Sequence, residues 1–129
     1  MKLSVDSLTK GLEFHGEVQG KRQHYYILSS PRQYFVMSVS LAKRDAGNFN
    51  MVSRAAVDGL YRKLRGRRGL TARLVSDRFR KGRLVTSSLN ALNMLYVMAA
   101  TGRASIDAKR KTPQIFFNVL RRPEGTRAS

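Results

Sequence analysis

The chain changes texture at Ser53. Before it, from Leu12 to Val52, apolar residues favour a period of two. Leu12, Phe14 and Val18 open the series, and Gly16 interrupts the alternation. His24–Ser30 is dense in strand formers: Tyr25, Tyr26, Ile27 and Leu28. Tyr34–Leu41 alternates cleanly. Phe35, Met37, Val39 and Leu41 share one face, and Tyr34, Val36, Ser38 and Ser40 share the other. Gly20-Lys21-Arg22 and Ser30-Pro31-Arg32 read as turns, and Ala46-Gly47-Asn48 leads into a short run, Phe49–Val52. The pattern predicts an antiparallel meander of three or four strands. Residues 1–10 read as a loose or helical arm.

After Ser53 the period becomes helical. Ser53 has the chemistry of an N-cap, and Val57, Leu60, Tyr61 and Leu64 follow on one face until Gly66 or Gly69 ends the helix. Thr71 caps a second helix whose expected inner side is Leu74, Val75 and Phe79. Lys81-Gly82-Arg83 is a turn, and Thr86 is the expected cap of a third helix that ends at Thr101-Gly102. A helical wheel puts Leu89, Leu92, Tyr96 and Ala99 inward, with Val85 and Leu95 beside them. It puts Ser87, Asn90, Ala91 and Met94 outward, with Asn93 at the flank. From Leu95 to Ala100 this helix is apolar almost all round, so it needs cover on every side. Two strand-like runs follow, Arg103–Asp107 and Gln114–Leu120, joined by Ala108-Lys109-Arg110-Lys111-Thr112-Pro113.

Helix, helix, helix, basic hairpin: over residues 53–120 this order resembles the winged helix-turn-helix superfamily. With an N-terminal antiparallel β-meander (1–52) and a flexible basic tail (121–129) read from the residues, the resemblance implies an α+β protein with a C-terminal winged helix-turn-helix (53–120). It also implies duplex DNA as the partner. One side of the third helix would face the helix-turn-helix core. The cover for its apolar end is then expected from the meander or from a second subunit. A homodimer is the expected assembly, because one short helix seldom supplies enough specificity.

Charge sharpens this picture. The 129 residues carry 25 Lys+Arg against 8 Asp+Glu, a net charge of +17. Residues 1–52 hold 7 basic and 4 acidic side chains, whereas residues 53–129 hold 18 basic and 4 acidic. The helical half is therefore +14 and the strand half only +3. So dense a charge calls for a polyanion. Arg outnumbers Lys, which suits the forked recognition of phosphate and guanine. The chain has no cysteine, which excludes disulfides and thiol chemistry. No apolar run approaches bilayer length, and the N-terminus is too mixed for a signal peptide. The expectation is an intracellular, cytoplasmic protein without a membrane partner, nucleoid-associated when bound.

Within the resemblance, base reading falls to Ser87, Asn90, Ala91 and Asn93 at the start of the third helix. Asn can bridge adenine N6 and N7, and Ala can meet a thymine methyl. Arg73, Arg83 and Thr86 would hold the backbone, near helix starts where phosphate is met. Lys109, Arg110 and Lys111 at the hairpin tip would grip the flank. The implied role is a small transcriptional regulator or mobile-element accessory factor, with no cofactor and no catalysis.

Two other readings rest on the strand half. Tyr25-Tyr26 and Tyr34-Phe35 could stack single-stranded bases or RNA. Glu13, His15 and Glu17, spaced by two, could share a strand face and bind a metal, as in a small nuclease. No paired-carboxylate motif, phosphate-binding glycine loop or nucleophile elbow accompanies them.

Overall fold

The computed structural model describes residues 12–20, 23–40, 47–109 and 114–124. The expected arm over residues 1–10, together with Leu41, Arg110, Lys111 and residues 125–129, lies outside them. Four strands come first: β1 (Glu13–Gln19), β2 (Gln23–Ser29), β3 (Gln33–Ser40) and β4 (Gly47–Ser53). They form one antiparallel sheet in chain order, with Leu28 opposite Phe35 and Tyr34 opposite Val52. Period-two alternation with turns between the runs is enough to produce this meander.

Tyr34, Val36 and Ser38 of β3 are buried, while Met37 and Val39 are exposed and Phe35 is half-buried. The alternation fixed which residues share a face. It could not fix which face is covered, because both faces of β3 are apolar. In β1 a bulge adds one residue: Phe14 pairs with Leu28 and Gly16 with Ile27, leaving His15 unpaired between them. Gly16 has φ 152°, a conformation that suits glycine. The bulge shifts the parity of the strand. Glu13, opposite Ser29, stays on the Tyr34 side, and Glu17, opposite Tyr26, falls on the outer side.

β4 runs straight into helix α1 (Arg54–Leu64), where the Ser53 Oγ accepts the Ala56 N–H at 3.3 Å. Val57, Leu60, Tyr61 and Leu64 are buried, as their spacing requires. Helix α2 (Ala72–Phe79) is capped by Thr71, whose Oγ1 accepts the Leu74 N–H at 3.2 Å. Of its expected inner side, Val75 is buried, Phe79 is half-buried and Leu74 is exposed, with Ser76 buried in its place. Helix α3 (Ser88–Ala100) leads to a hairpin of β5 (Ala104–Ile106) and β6 (Phe117–Val119). Leu70, between α1 and α2, exchanges both backbone hydrogen bonds with Phe117 at 2.9 and 2.7 Å. It adds a one-residue rung to that hairpin. Past β6, Arg121 O accepts from the Arg65 Nε at 2.9 Å and Glu124 N donates to Gly102 O at 2.6 Å, so the tail begins anchored.

Helix α3 is the centre of the molecule. Ala91 and the whole run from Met94 to Met98 are essentially inaccessible to solvent. α2 packs along it, and the sheet, α1 and β5 close the rest. Tyr25 of β2 stacks on Tyr96, with centroids 4.1 Å apart and planes at 28°. Phe117 of β6 meets the same ring edge-on at 5.7 Å. The apolar end of α3 is thus covered within the chain, by the meander. The surface that suggested a second subunit at Val97 and Met98 is already occupied.

Arg103, just past α3, ties these layers together. Its guanidinium is buried and donates to Asp58 of α1 at 2.8 Å, to the Tyr34 hydroxyl of β3 at 2.9 Å and to Thr101 Oγ1 at 3.0 Å. It also lies 5.5 Å from the Tyr61 ring centroid and 5.9 Å from that of Tyr34. Beside it, His15 Nε2 is 2.7 Å from Ser29 Oγ, and the Arg54 guanidinium donates to Ser30 O at 3.1 Å. His15, Tyr34, Arg54, Asp58, Thr101 and Arg103 line an open cleft of about 830 Å³.

Two outcomes follow from this packing. Met98→Ala should lower stability by about 2–5 kcal/mol, with a lower melting temperature and no change in mass. His15 supplies a pH dependence. Burial lowers its pKa below the ordinary 6.5, Glu13 opposes this, and Arg54 and Arg103 reinforce it. The fold therefore favours neutral His15. Its contribution is complete above 6.5 and is lost as pH falls from there through the lowered folded value. Melting temperatures taken from about pH 7 to about pH 5 should fall less steeply in His15→Gln than in the wild type.

Candidate nucleic-acid interface

Helix α3 begins at the surface and ends in the core. Ser87 is its N-cap: the Ser87 Oγ accepts the Asn90 N–H at 3.0 Å. The Asn90 Oδ1 in turn accepts the Thr86 N–H at 3.1 Å. This reciprocal pair resembles a capping box. Thr86, expected to be the cap, sits one residue earlier and is exposed.

The first turns of α3 present a different face from the one the wheel suggests. Ser88 and Leu89 are outermost, with Leu89 58% exposed, and Asn90 and Leu92 are half-buried. Ala91 is 0% and Asn93 3% exposed, so neither can reach a base edge. Both leave the reading set. Ser87 is half-buried with its hydroxyl engaged at the cap, and Asn90 stays at the margin. The helix is turned about its axis by roughly half a revolution from the expected orientation. Ala91 and Met94 join Leu60 and Val75 in the buried cluster. Apolar residues surround this helix, so periodicity alone carried no signal that Ser88 and Leu89 face outward.

Three elements meet at this face. Ser88 and Leu92 of α3, Thr71, Ala72 and Arg73 at the start of α2, and Gln114 and Ile115 of the hairpin border one groove of about 400 Å³. Arg73 is exposed there. Arg83, just before α3, is exposed and has φ 60°, the left-handed region that costs a non-glycine residue of order 1–3 kcal/mol. Lys109 is exposed on the hairpin, its N–H donating to Asp107 Oδ1 at 3.1 Å. Arg110 and Lys111, expected at the same tip, lie outside the described residues.

Ion pairs among the described residues are His15–Glu13, His24–Glu17 and Arg103–Asp58. Arg62, Lys63, Arg67, Arg68, Arg73, Arg78 and Arg83 are exposed and carry no ion pair among the described residues. Their field is directed at solvent, where an external anion would meet it.

The two alternative sites look different in three dimensions. The β1 bulge separates Glu17, which bonds His24 at 3.0 Å, from Glu13 and His15. Among the described residues no group of three His, Asp or Glu side chains is arranged to hold a metal. Of the four aromatics expected to stack bases, Tyr25 and Tyr34 face the core, and Tyr26 and Phe35 face outward. Phe14 and Phe49, which the sequence did not single out, are the exposed aromatics of that outer face.

The position of the cap gives a direct check. Ser87→Ala should cost about 1 kcal/mol of stability, whereas Thr86→Ala should cost a few tenths at most, read by denaturant unfolding of each variant.

Comparison with protein-family models, with curated proteins and with solved structures found no match for this chain.

Proposed function

We propose that this chain binds duplex DNA through a winged helix-turn-helix, as a small transcriptional regulator or mobile-element accessory factor without catalytic activity. The observation that carries the reading is the groove shared by the start of α2, the start of α3 and the hairpin. In that arrangement the first turn of α3 enters the major groove, which is wide enough for a helix. Asn90 faces an adenine, Ser88 adapts to either neighbour, and Leu89 meets a thymine methyl. Arg73, Arg83 and Thr86 hold backbone phosphate on either side, and Lys109, with Arg110 and Lys111, holds the flank. The rung between Leu70 and Phe117 supports the same reading. It ties the α1–α2 connection to the hairpin and so fixes the wing relative to the helices.

The rival reading through the sheet has a specific weakness. Single-strand binders combine stacking aromatics with a cationic track for the phosphates. The four strands β1 to β4 contain no lysine or arginine at all.

A selection of bound duplexes from a random-sequence pool tests the reading. If about four to eight phosphates are neutralised, log affinity should fall against log salt with a slope of about −4 to −7. An affinity that ignores salt, or an equal preference for single strands, would overturn it. Asn90→Ala should cost about 1–3 kcal/mol on the preferred site and relax base choice there. Arg73→Ala with Arg83→Ala should weaken all sequences alike and make the salt slope shallower by about two.

A further inference from the structure

The sheet has two apolar faces, and the helices cover one. The other is built in rows across the strands. Phe14, Leu28, Phe35 and Met51 form one row, and Glu17, Tyr26, Met37 and Phe49 the next. Gln19, His24, Val39 and Gly47 form the third. Phe14, Met37, Val39, Phe49 and Met51 are each between 39% and 60% exposed. Together they leave roughly 500 Å² of side chain open, taking about 200 Å² for a full large side chain. That is near the upper end for a single apolar patch on a monomer, roughly 300–600 Å². Phe35 and Phe49 stack on this face with centroids 5.5 Å apart, and the β2–β3 and β3–β4 registers run without a bulge. The face is therefore continuous and regular.

We infer that this outer sheet face is the contact between two copies of the chain. Area and charge identify the occupant. A protein–protein interface buries about 800 Å² per partner, and the patch supplies the apolar centre of one that size. Each chain carries +17, so two copies repel almost everywhere. They repel least at the four strands, which hold no lysine or arginine and put Glu17 on the outer face. The same lack of cations disfavours a nucleic acid there. An apolar sheet face of this kind can pair with itself across a two-fold axis. The helices pack on the opposite face of the sheet, so this pairing leaves the groove at the start of α3 uncovered.

The oligomeric state of the full chain, measured without nucleic acid, tests the inference independently of DNA binding. Sedimentation at raised salt, where charge repulsion is screened, should give twice the 14.6 kDa chain mass, dissociating on dilution. Phe49→Glu with Met51→Glu should weaken the dimer at least about tenfold, equivalent to about 1.4 kcal/mol. Phe49→Thr with Met51→Thr should do the same while keeping strand propensity, so a misfolded first variant does not decide the matter. The chain has no cysteine, so a spin label on Met37→Cys reports the interface separately through label–label dipolar coupling. A wild type that stays monomeric overturns the inference, whether residues 1–11 or a different partner covers the face. A dimer that survives both double substitutions, or that shows no coupling at Met37→Cys, places the contact elsewhere and also overturns it.

Discussion

Everything in this fold answers to one constraint: the second half of α3 has no polar side. Leu95, Tyr96, Val97 and Met98 point in different directions, and each is buried. Leaving a side chain of that size wet forfeits about 1.5–3 kcal/mol. Two short helices and a three-residue-per-strand hairpin cannot enclose such a helix. The meander is therefore part of the core and not an appendage. Tyr25, stacked on Tyr96, and Gly16, whose φ of 152° shapes the β1 bulge beside Ala100, are the places where that requirement is met locally.

Burying α3 from two sides creates a second requirement, because the covering layers must keep a fixed relation. Arg103 supplies it. One guanidinium reaches the sheet, α1 and the end of α3 through three directed bonds, in a setting where a charge is costly unless fully partnered. Asp58 provides the opposite charge, and the Tyr34 and Tyr61 rings provide electron-rich neighbours. His15 and Arg54 converge on Ser29 in the adjoining cleft, at 2.7 and 3.4 Å, which makes the joint a polar seam between otherwise apolar layers.

The two ends of α3 then have different tasks. The far end holds the molecule together, and the near end is open, flanked by Arg73 and Arg83. The charge follows the same division. The helical half carries nearly all the positive charge, and the strands carry none. A protein built in this way has one surface suited to a polyanion and another suited to an uncharged neighbour. Both proposals above follow from that separation.

The sequence determined the element order, most of the helix caps and the strand runs. Ser53, Thr71 and the alternation in β3 act locally, through hydrogen bonds and parity that need no distant partner. It also determined that α3 required cover and that the basic charge lay with the helices. It did not determine which side of an element faces in. β3 and α3 are apolar on both sides, so Phe35 and Tyr34, or Leu89 and Ala91, could have exchanged places without breaking any pattern. Only the packing of the sheet against α3 settled that choice, burying Ala91 and Asn93 and leaving Ser88 and Leu89 at the surface. The sequence marked the bulge at His15 only by Gly16, which interrupts the alternation. The bulge depends on how β1 aligns with β2, and that single added residue is what separates Glu17 from Glu13 and His15.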